Sequence, residues 1–354
     1  MRKKLRFTIL VASSALLLSC FITFRSLTSS PLLAPMPALV TLTGAGASFP
    51  YPIYSKWFSD YNKLHSDIQI NYQSIGSGGG IKQLLSGTVD FGASDAPMTD
   101  EQLGQARTKI LHFPTVLGAV VPSYNITGVT QELNFTPEVL VGVYLGRITK
   151  WNDPEIAKSN KGVNLPGEDI VVIHRSEASG TSYVWTDYLS KVSTEWESKV
   201  GRSTSVKWPV GLGGKGNEGV TGLVKQTPGA IGYVELLYAV QNNIPYGKVR
   251  NSAGVFVKAD LAGVTVAAAA FSKSMPEDFR ISITNAPGKA AYPICSFTYL
   301  LVPTKIEDAG KKQIIKNFLT WMLNDGQKDA EPLSYARLPK EVVAKELKQI
   351  SQIQ

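Results

Sequence analysis

Cysteine is nearly missing from this chain: there are two in 354 residues, and Cys20 falls in an N-terminal leader, so Cys295 stands alone beyond it. A single thiol closes no intrachain disulfide, so stability must come from apolar burial. Histidine is almost as scarce, and none of the three belongs to an H-x-H or H-E-x-x-H pattern beside a carboxylate. That leaves a metal site little to build on, and no metal or other cofactor is expected. Nucleotide loops fail as well. "GSGGGIK" lacks the Gly-Lys-Ser/Thr ending of a P-loop. "GLGGKGNEG" (Gly211 to Gly219) has Gly216 where a magnesium-binding hydroxyl should stand. The second stretch reads instead as a glycine-rich surface or hinge loop. No G-x-S-x-G elbow marks a hydrolase, and there is no internal repeat.

Excess charge is also less than it looks. The formal +8 includes Arg2, Lys3, Lys4, Arg6 and Arg25 of the leader; without them it is +3, with no basic run longer than a doublet. Nucleic acid is therefore not an expected partner. Hydrophobic content of 44% with 18% charged residues is that of a globular chain, and 354 residues exceed what one core usually carries, so two domains are expected.

The leader itself is readable. "MRKKLRF" is a positive n-region, followed by the apolar "TILVASSALLLSCFITF" and the Ser/Pro linker "SLTSSPLLAPMPA", with a cleavage point near Ala38. This is a secretory signal or an N-terminal anchor. "LLSC" resembles a lipoprotein box that would lipidate Cys20, but the apolar Phe21, Ile22 and Phe24 after it count against that. The expectation is export to the periplasm or another extracytoplasmic space. Membrane contact would run only through Cys20 or an uncleaved leader.

Further along, short strand-like runs pass through a turn into a helical pattern. "LVTLT" leads through "GAGASFP" to a helix with Ile53, Tyr54, Trp57, Phe58 and Tyr61 on one face. "IQINYQ" leads through "SIGSGGG" to "IKQLLSG", and "DIVVIH" through "RSEASGT" to Val184, Trp185, Tyr188, Leu189 and Val192. Strands alternating with helices predict α/β architecture with a largely parallel sheet. The last quarter reads as helices: "KKQIIKNFLTWMLNDG" carries Ile314, Ile315, Phe318, Leu319 and Met322 on one stripe with Gly326 as C-cap, and Pro339 opens the next helix at a first-turn position.

Three glycine-and-hydroxyl turns, Gly44–Pro50, Gly76–Gly80 and Ser179–Thr181, therefore lie between a strand and a helix. The first N–H groups of a helix lack internal partners and sit at the positive end of its dipole. Such an end holds anions without cationic side chains. One such turn is ordinary capping; three, with hydroxyls at Ser48, Ser77, Ser179 and Thr181, suggest a shared oxyanion site. Arg175, two residues beyond "VVI", adds a guanidinium, and His174 beside it faces the other way on a strand. Asp95 in "FGASDAPMT" follows a strand end, where α/β folds place ligands. Thr99 with Gln102 forms a capping box for the next helix. Asp95 is either a solvated loop residue capping its own backbone or a carboxylate that accepts a proton from a bound oxyanion.

"LTGAGASFPYPIYSKW", "YQSIGSGGGIKQL", "VDFGASDAP", "FPTVLGAVV", "YLGRITKWND", "SGTSYVWTDYL", "KWPVGLGGKGN" and "PGAIGYVE" closely resemble, in this order, the periplasmic phosphate-binding proteins of phosphate-specific ABC transporters. The resemblance runs from about Leu39 to the C-terminal helices. It implies a two-domain type II periplasmic-binding-protein fold, with mixed sheets flanked by helices and ligand in the interdomain cleft. Domain I would comprise residues 39–116 and 297–354 and domain II residues 117–296, after a leader and linker of 1–38. Carried over by position, phosphate would meet Ser48, Phe49 through its backbone amide, Ser77, Asp95, Arg175, Ser179, Gly180 and Thr181. Glu177 departs from the family, where the better-known members pair an aspartate with the site arginine.

The function so implied is high-affinity binding of inorganic phosphate outside the cytoplasmic membrane and its delivery, by a monomer, to an ABC permease. ATPase subunits would supply the energy, since no ATP motif is present. The alternatives are a binder of another tetrahedral oxyanion, such as sulfate or molybdate, and a phosphatase using Ser179 or Ser77. Asp95 argues against the first, because an anion without a proton would face a carboxylate directly. The second lacks a base beside either serine.

Overall fold

In the computed structural model of this chain, residues 39–354 are described; the leader, with Cys20 and the Ala38 cleavage point, lies outside the described residues. The run read as "LVTLT" becomes β1 (Val40–Gly46), followed by α1 (Tyr51–Leu64), β2 (Ile68–Ser74), α2 (Ser77–Ser86) and β3 (Phe91–Ser94). Beyond them come the long β4 (Ile110–Asn125), β5 (Val171–Arg175), α3 (Gly180–Val192), β6 (Leu212–Gly214) and α4 (Gly216–Gln226). The chain continues through β7 (Ala230–Glu235), α5 (Leu236–Gln241), β8 (Cys295–Pro303), α6 (Ala309–Asn324) and α7 (Lys340–Gln349).

These strands form one eight-stranded mixed sheet in the order β2-β1-β3-β8-β4-β7-β5-β6, beside a small three-stranded sheet. The strand–turn–helix units are parallel, β1 with β2 and β3, and β5 with β6 and β7. The largely parallel sheet that the pattern predicts is interrupted at its centre, where β8 pairs antiparallel with β3. β4 pairs antiparallel with β8 over Ile110–Ala119 and then antiparallel with β7 over Val120–Asn125. β8 lies in the last quarter, which read as helical; its CSFTYLLVP run is buried on both faces and so shows no period-2 alternation.

The core is apolar where the sequence pattern placed it. Ile53, Tyr54, Trp57, Phe58 and Tyr61 of α1 are all buried, and Phe58 and Tyr61 pack on α6, with ring centroids 5.4 Å apart for Phe58–Phe318 and 5.2 Å for Tyr61–Phe318. Each such side chain contributes about 1.5–3 kcal/mol by leaving water. Gly326 does not cap α6: the C-cap is Asp325, and Gly326 opens a 3₁₀ turn whose carbonyl accepts the Trp57 indole N–H at 2.8 Å. Truncating Trp57 would therefore cost a cavity and that bond together. Pro339 is the N-cap of α7, one position earlier than expected. The capping box is formed as read, Thr99 and Gln102 closing the start of the short helix Asp100–Gly104.

The consequence for function lies in strand direction. β1, β2, β3, β5, β6 and β7 end at Gly46, Ser74, Ser94, Arg175, Gly214 and Glu235, and the turns and helices that follow them meet at one place.

Candidate functional site

The three hydroxyl turns converge. Ser77, at the first position of α2, accepts the Gly180 N–H of α3 at 3.0 Å and the Asp95 N–H at 3.3 Å. Beside it the Gly78 N–H donates to the Ala178 carbonyl at 2.9 Å. This contact needs glycine: a Cβ on Gly180 would stand 2.5 Å from Ser77 Oγ and 2.7 Å from Asp95 Cβ. Gly76, which precedes α2, has φ +86° and no room for a side chain against Glu177 and Ala178. Ser77 illustrates how a hydroxyl is readied for an anion. Its two lone pairs are filled by backbone donors, and only its proton remains to be given. Ser179 is the N-cap of α3 and accepts the Ser182 N–H at 3.1 Å.

Ser48 and Phe49 lie between β1 and α1. Their carbonyls are taken from outside, Ser48 O by the Tyr238 hydroxyl at 2.6 Å and Phe49 O by the Tyr335 hydroxyl at 2.7 Å. The Phe49 ring is buried against Gly118 of β4, and a Cβ there would come within 2.6 Å of it. Among the described residues, the N–H groups of Phe49, Ser77 and Thr181 make no hydrogen bond. Ser77 and Thr181 belong to helix starts and Phe49 to the turn just before the Pro50 N-cap of α1, where such donors are open to an incoming acceptor.

The charged groups are as closely arranged. Arg175, 3% exposed, donates from Nε at 3.0 Å and from Nη2 to Glu177 Oε1, and from Nη1 to Thr181 Oγ1 at 3.2 Å. Burial raises the Glu177 carboxyl, but the Arg175 hydrogen bonds and charge, joined by the Gly216 N–H at 3.0 Å, outweigh it and hold the group below its ordinary value. The longer side chain at 177 thus still pairs with the arginine. Asp95, 1% exposed, accepts Thr298 Oγ1–H at 2.9 Å on Oδ1 and Thr181 Oγ1–H at 3.3 Å on Oδ2. Burial pushes its carboxyl up to about 7, with Thr298, Arg175 and Thr181 opposing. His174 faces away from this cluster, stacked on Trp208 at 4.9 Å.

All eight positions named from the sequence, with Glu177 behind them, are thus found in this one cluster. Four neighbours were not anticipated. Asn217, in the stretch read as a surface or hinge loop, is fully buried and bonds both Ser48 and Thr181. The stretch is at the surface over Gly211–Gly213 as read; the correction concerns its second half, where Gly214 and Gly216 are buried with Asn217 and serve close packing of α4's start. Thr298, Tyr238 and Tyr335 are the others. The first sits in an apolar strand and the two tyrosines in helical or irregular segments, and none carries a pattern pointing to this place. A cluster of buried donors, one guanidinium paired away on one side, and one carboxyl held neutral or ionised by small changes can hold a partly protonated oxyanion.

Such a site at strand ends is that of a periplasmic binding protein, and a family model described as the PBP superfamily domain matches residues 34–326. The phosphate-binding protein PstS of Pasteurella multocida is 45% identical over 306 residues, covering 86% of this chain and 88% of that one. PstS of Xylella fastidiosa is 44% identical over 316 residues, covering 89% and 86%. PstS of the archaeon Methanocaldococcus jannaschii is 38% identical over 330 residues, covering 86% and 84%. The chain belongs to the PstS phosphate-binding protein family. Among solved structures, the fold is shared with the phosphate-binding protein of Stenotrophomonas maltophilia, with a TM-score of 0.68 at 18% identity over 87% of this chain and 93% of that one. It is shared also with an ABC-type phosphate transport receptor of Vibrio cholerae, with a TM-score of 0.54 at 19% identity over 84% and 100%.

Proposed function

We propose that this chain binds inorganic phosphate with high affinity outside the cytoplasmic membrane and delivers it to an ABC permease driven by ATPase subunits. The observation that carries this reading is Asp95: a buried carboxyl set among donors that suit an anion. In this reading the anion's own O–H donates to Asp95, while Arg175, the hydroxyls of Ser48, Ser77 and Ser179 and the N–H groups of Phe49, Ser77 and Thr181 donate to its other oxygens; the Gly180 N–H and the Thr181 hydroxyl, given to Ser77 and Asp95, line the same place. Charge-assisted bonds from a planar guanidinium suit two of those oxygens. Sulfate at neutral pH brings no proton and leaves Asp95 facing an oxygen. A site built around a ligand hydroxyl rejects the analogue lacking it by roughly 10⁴–10⁵.

The two lobes would be residues 39–116 with 297–354, and residues 117–296, closing on phosphate as a monomer with β4 and β8 as crossovers. Residues 1–38 would direct export, leaving the protein free or held at the membrane through Cys20 or an uncleaved leader. In this reading the serines hold and do not attack, which is supported by Ser179 Oγ capping its helix and Ser77 Oγ accepting two N–H groups, neither bonding a histidine among the described residues. Calorimetric titration of the purified chain with phosphate and then sulfate tests the reading, with phosphate taken up and sulfate refused. Equal uptake of the two, or turnover of a chromogenic phosphomonoester that disappears in Ser179→Ala, would overturn it.

A further inference from the structure

We propose that Asn217 is a positioning residue that fixes the hydroxyl directions of Ser48 and Thr181, leaving Ser48 able only to donate towards the bound anion. The proposal rests on the phosphate-binding reading above and names a residue that reading does not need.

A serine hydroxyl has one proton and two lone pairs, and rotates to suit its surroundings. At Ser48 that freedom is removed. The Asn217 backbone N–H donates to Ser48 Oγ at 3.1 Å and the Asn217 side-chain Nδ2–H at 3.0 Å, which fills both lone pairs. No acceptor among the described residues takes the Ser48 proton, so the only function left to the oxygen is that of a donor. The second Nδ2 hydrogen goes to Thr181 Oγ1 at 3.2 Å, which also accepts Arg175 Nη1–H at 3.2 Å. With its lone pairs so occupied, Thr181 gives its proton to Asp95 Oδ2 at 3.3 Å.

The amide itself cannot flip. Asn217 Oδ1 accepts the Glu235 backbone N–H at 2.9 Å, and the reversed amide would set hydrogens against that N–H. Direction thus passes from the last residue of β7, through a fully buried amide, to two hydroxyls from separate turns, one of them 169 positions away in the chain. Donors fixed before the ligand arrives spend nothing on reorientation when it binds. Capping of α4 does not account for the side chain, because Lys215 is the N-cap and the Asn217 backbone N–H would meet Ser48 Oγ whatever side chain stood at 217.

The test is a double-mutant cycle read by phosphate calorimetry on wild type, Asn217→Ala, Ser48→Ala and the double variant, with thermal melts alongside. Asn217→Ala leaves the buried Glu235 N–H unpaired and is expected to melt below wild type, and to weaken phosphate binding on the order of 10- to 100-fold. In the Ser48→Ala background the same change should cost no more than about threefold, the share passing through Thr181. Equal factors in both backgrounds, or undiminished affinity in Asn217→Ala, would overturn the proposal. Should Asn217→Ala fail to fold, the smaller and uncharged Asn217→Ser takes its place in the cycle. A wild-type chain that takes up no phosphate brings down the functional reading itself, a different result from additivity in a chain that binds.

Discussion

Asp95 and Glu346 are both carboxyl groups buried within the same fold, at 1% and 0% exposure, and burial is the first cause that raises both. Their surroundings differ in kind. Asp95 has a donor on each oxygen and Arg175 nearby, and these pull it back to about 7. Glu346, on α7 where the helix packs on β4, has no partner on either oxygen among the described residues, and burial holds it well above its ordinary value. A buried acid with donors on both oxygens can change state when something binds; one without them is held neutral and does nothing but add cost. The donors, not the burial, separate a functional carboxyl from a structural oddity.

The sharpest way to break this comparison is Asp95→Asn. The amide can donate where the carboxylate could only accept, so a fully ionised oxyanion is no longer refused. The phosphate-to-sulfate affinity ratio is expected to fall by roughly 10²–10⁴; calorimetry on both anions reads it, and an unchanged ratio would remove Asp95 from the site. The variant also flattens one limb of the stability profile. An acid raised from 3.8 to about 7 gives its full share of stability below pH 3.8 and loses it as pH climbs towards 7.

Glu346→Leu tests the other half and should have a smaller effect. Removing an unpartnered buried acid while keeping its volume is expected to stabilise the chain by about 1–3 kcal/mol. The gain should be greater at pH 8 than at pH 5, because Glu346 loses its share of stability as pH rises above its ordinary 4.5. Urea unfolding at the two pH values measures both. A loss of stability would show that Glu346 has a partner after all, and the contrast with Asp95 would fail.

The same contrast explains what could be read in advance. Turns of glycine and hydroxyl residues between a strand and a helix are local, so Ser48, Ser77, Ser179, Thr181 and the α1 face could be found without knowing what lay opposite. Asp95 was legible as a carboxyl at a strand end with two open readings, a self-capping loop residue or an acceptor of a ligand proton, and only the family resemblance chose between them. Asn217 was missed because its neighbours are glycines, which signal exposure and close packing equally. Thr298 was missed because a threonine in a strand buried on both faces looks like any β-branched residue. Glu346 shows the opposite failure: a charged residue in KEVVAKELKQ reads as solvated, and only the packing of α7 against β4 buries it.

Thr298 gives the finest test, because it changes the donor count and leaves the carboxyl in place. Its hydroxyl donates to Asp95 Oδ1 at 2.9 Å, and Thr298→Val removes that bond with little change in shape. The carboxylate is then supported by Thr181 and Arg175 alone, so Asp95 shifts above about 7, towards the state of Glu346. Accepting a ligand proton requires the ionised form, which is now costlier to reach at neutral pH. Phosphate affinity at pH 7 should fall about tenfold, the equivalent of one hydrogen bond to a charged group. Because the deficit lies in ionisation, it should shrink as pH rises past the new value, where Asp95 is ionised in either chain. Calorimetry at pH 6, 7 and 9 distinguishes this from a packing defect, which would cost the same factor at every pH and would mean that the donor on Oδ1 is not what sets Asp95 apart.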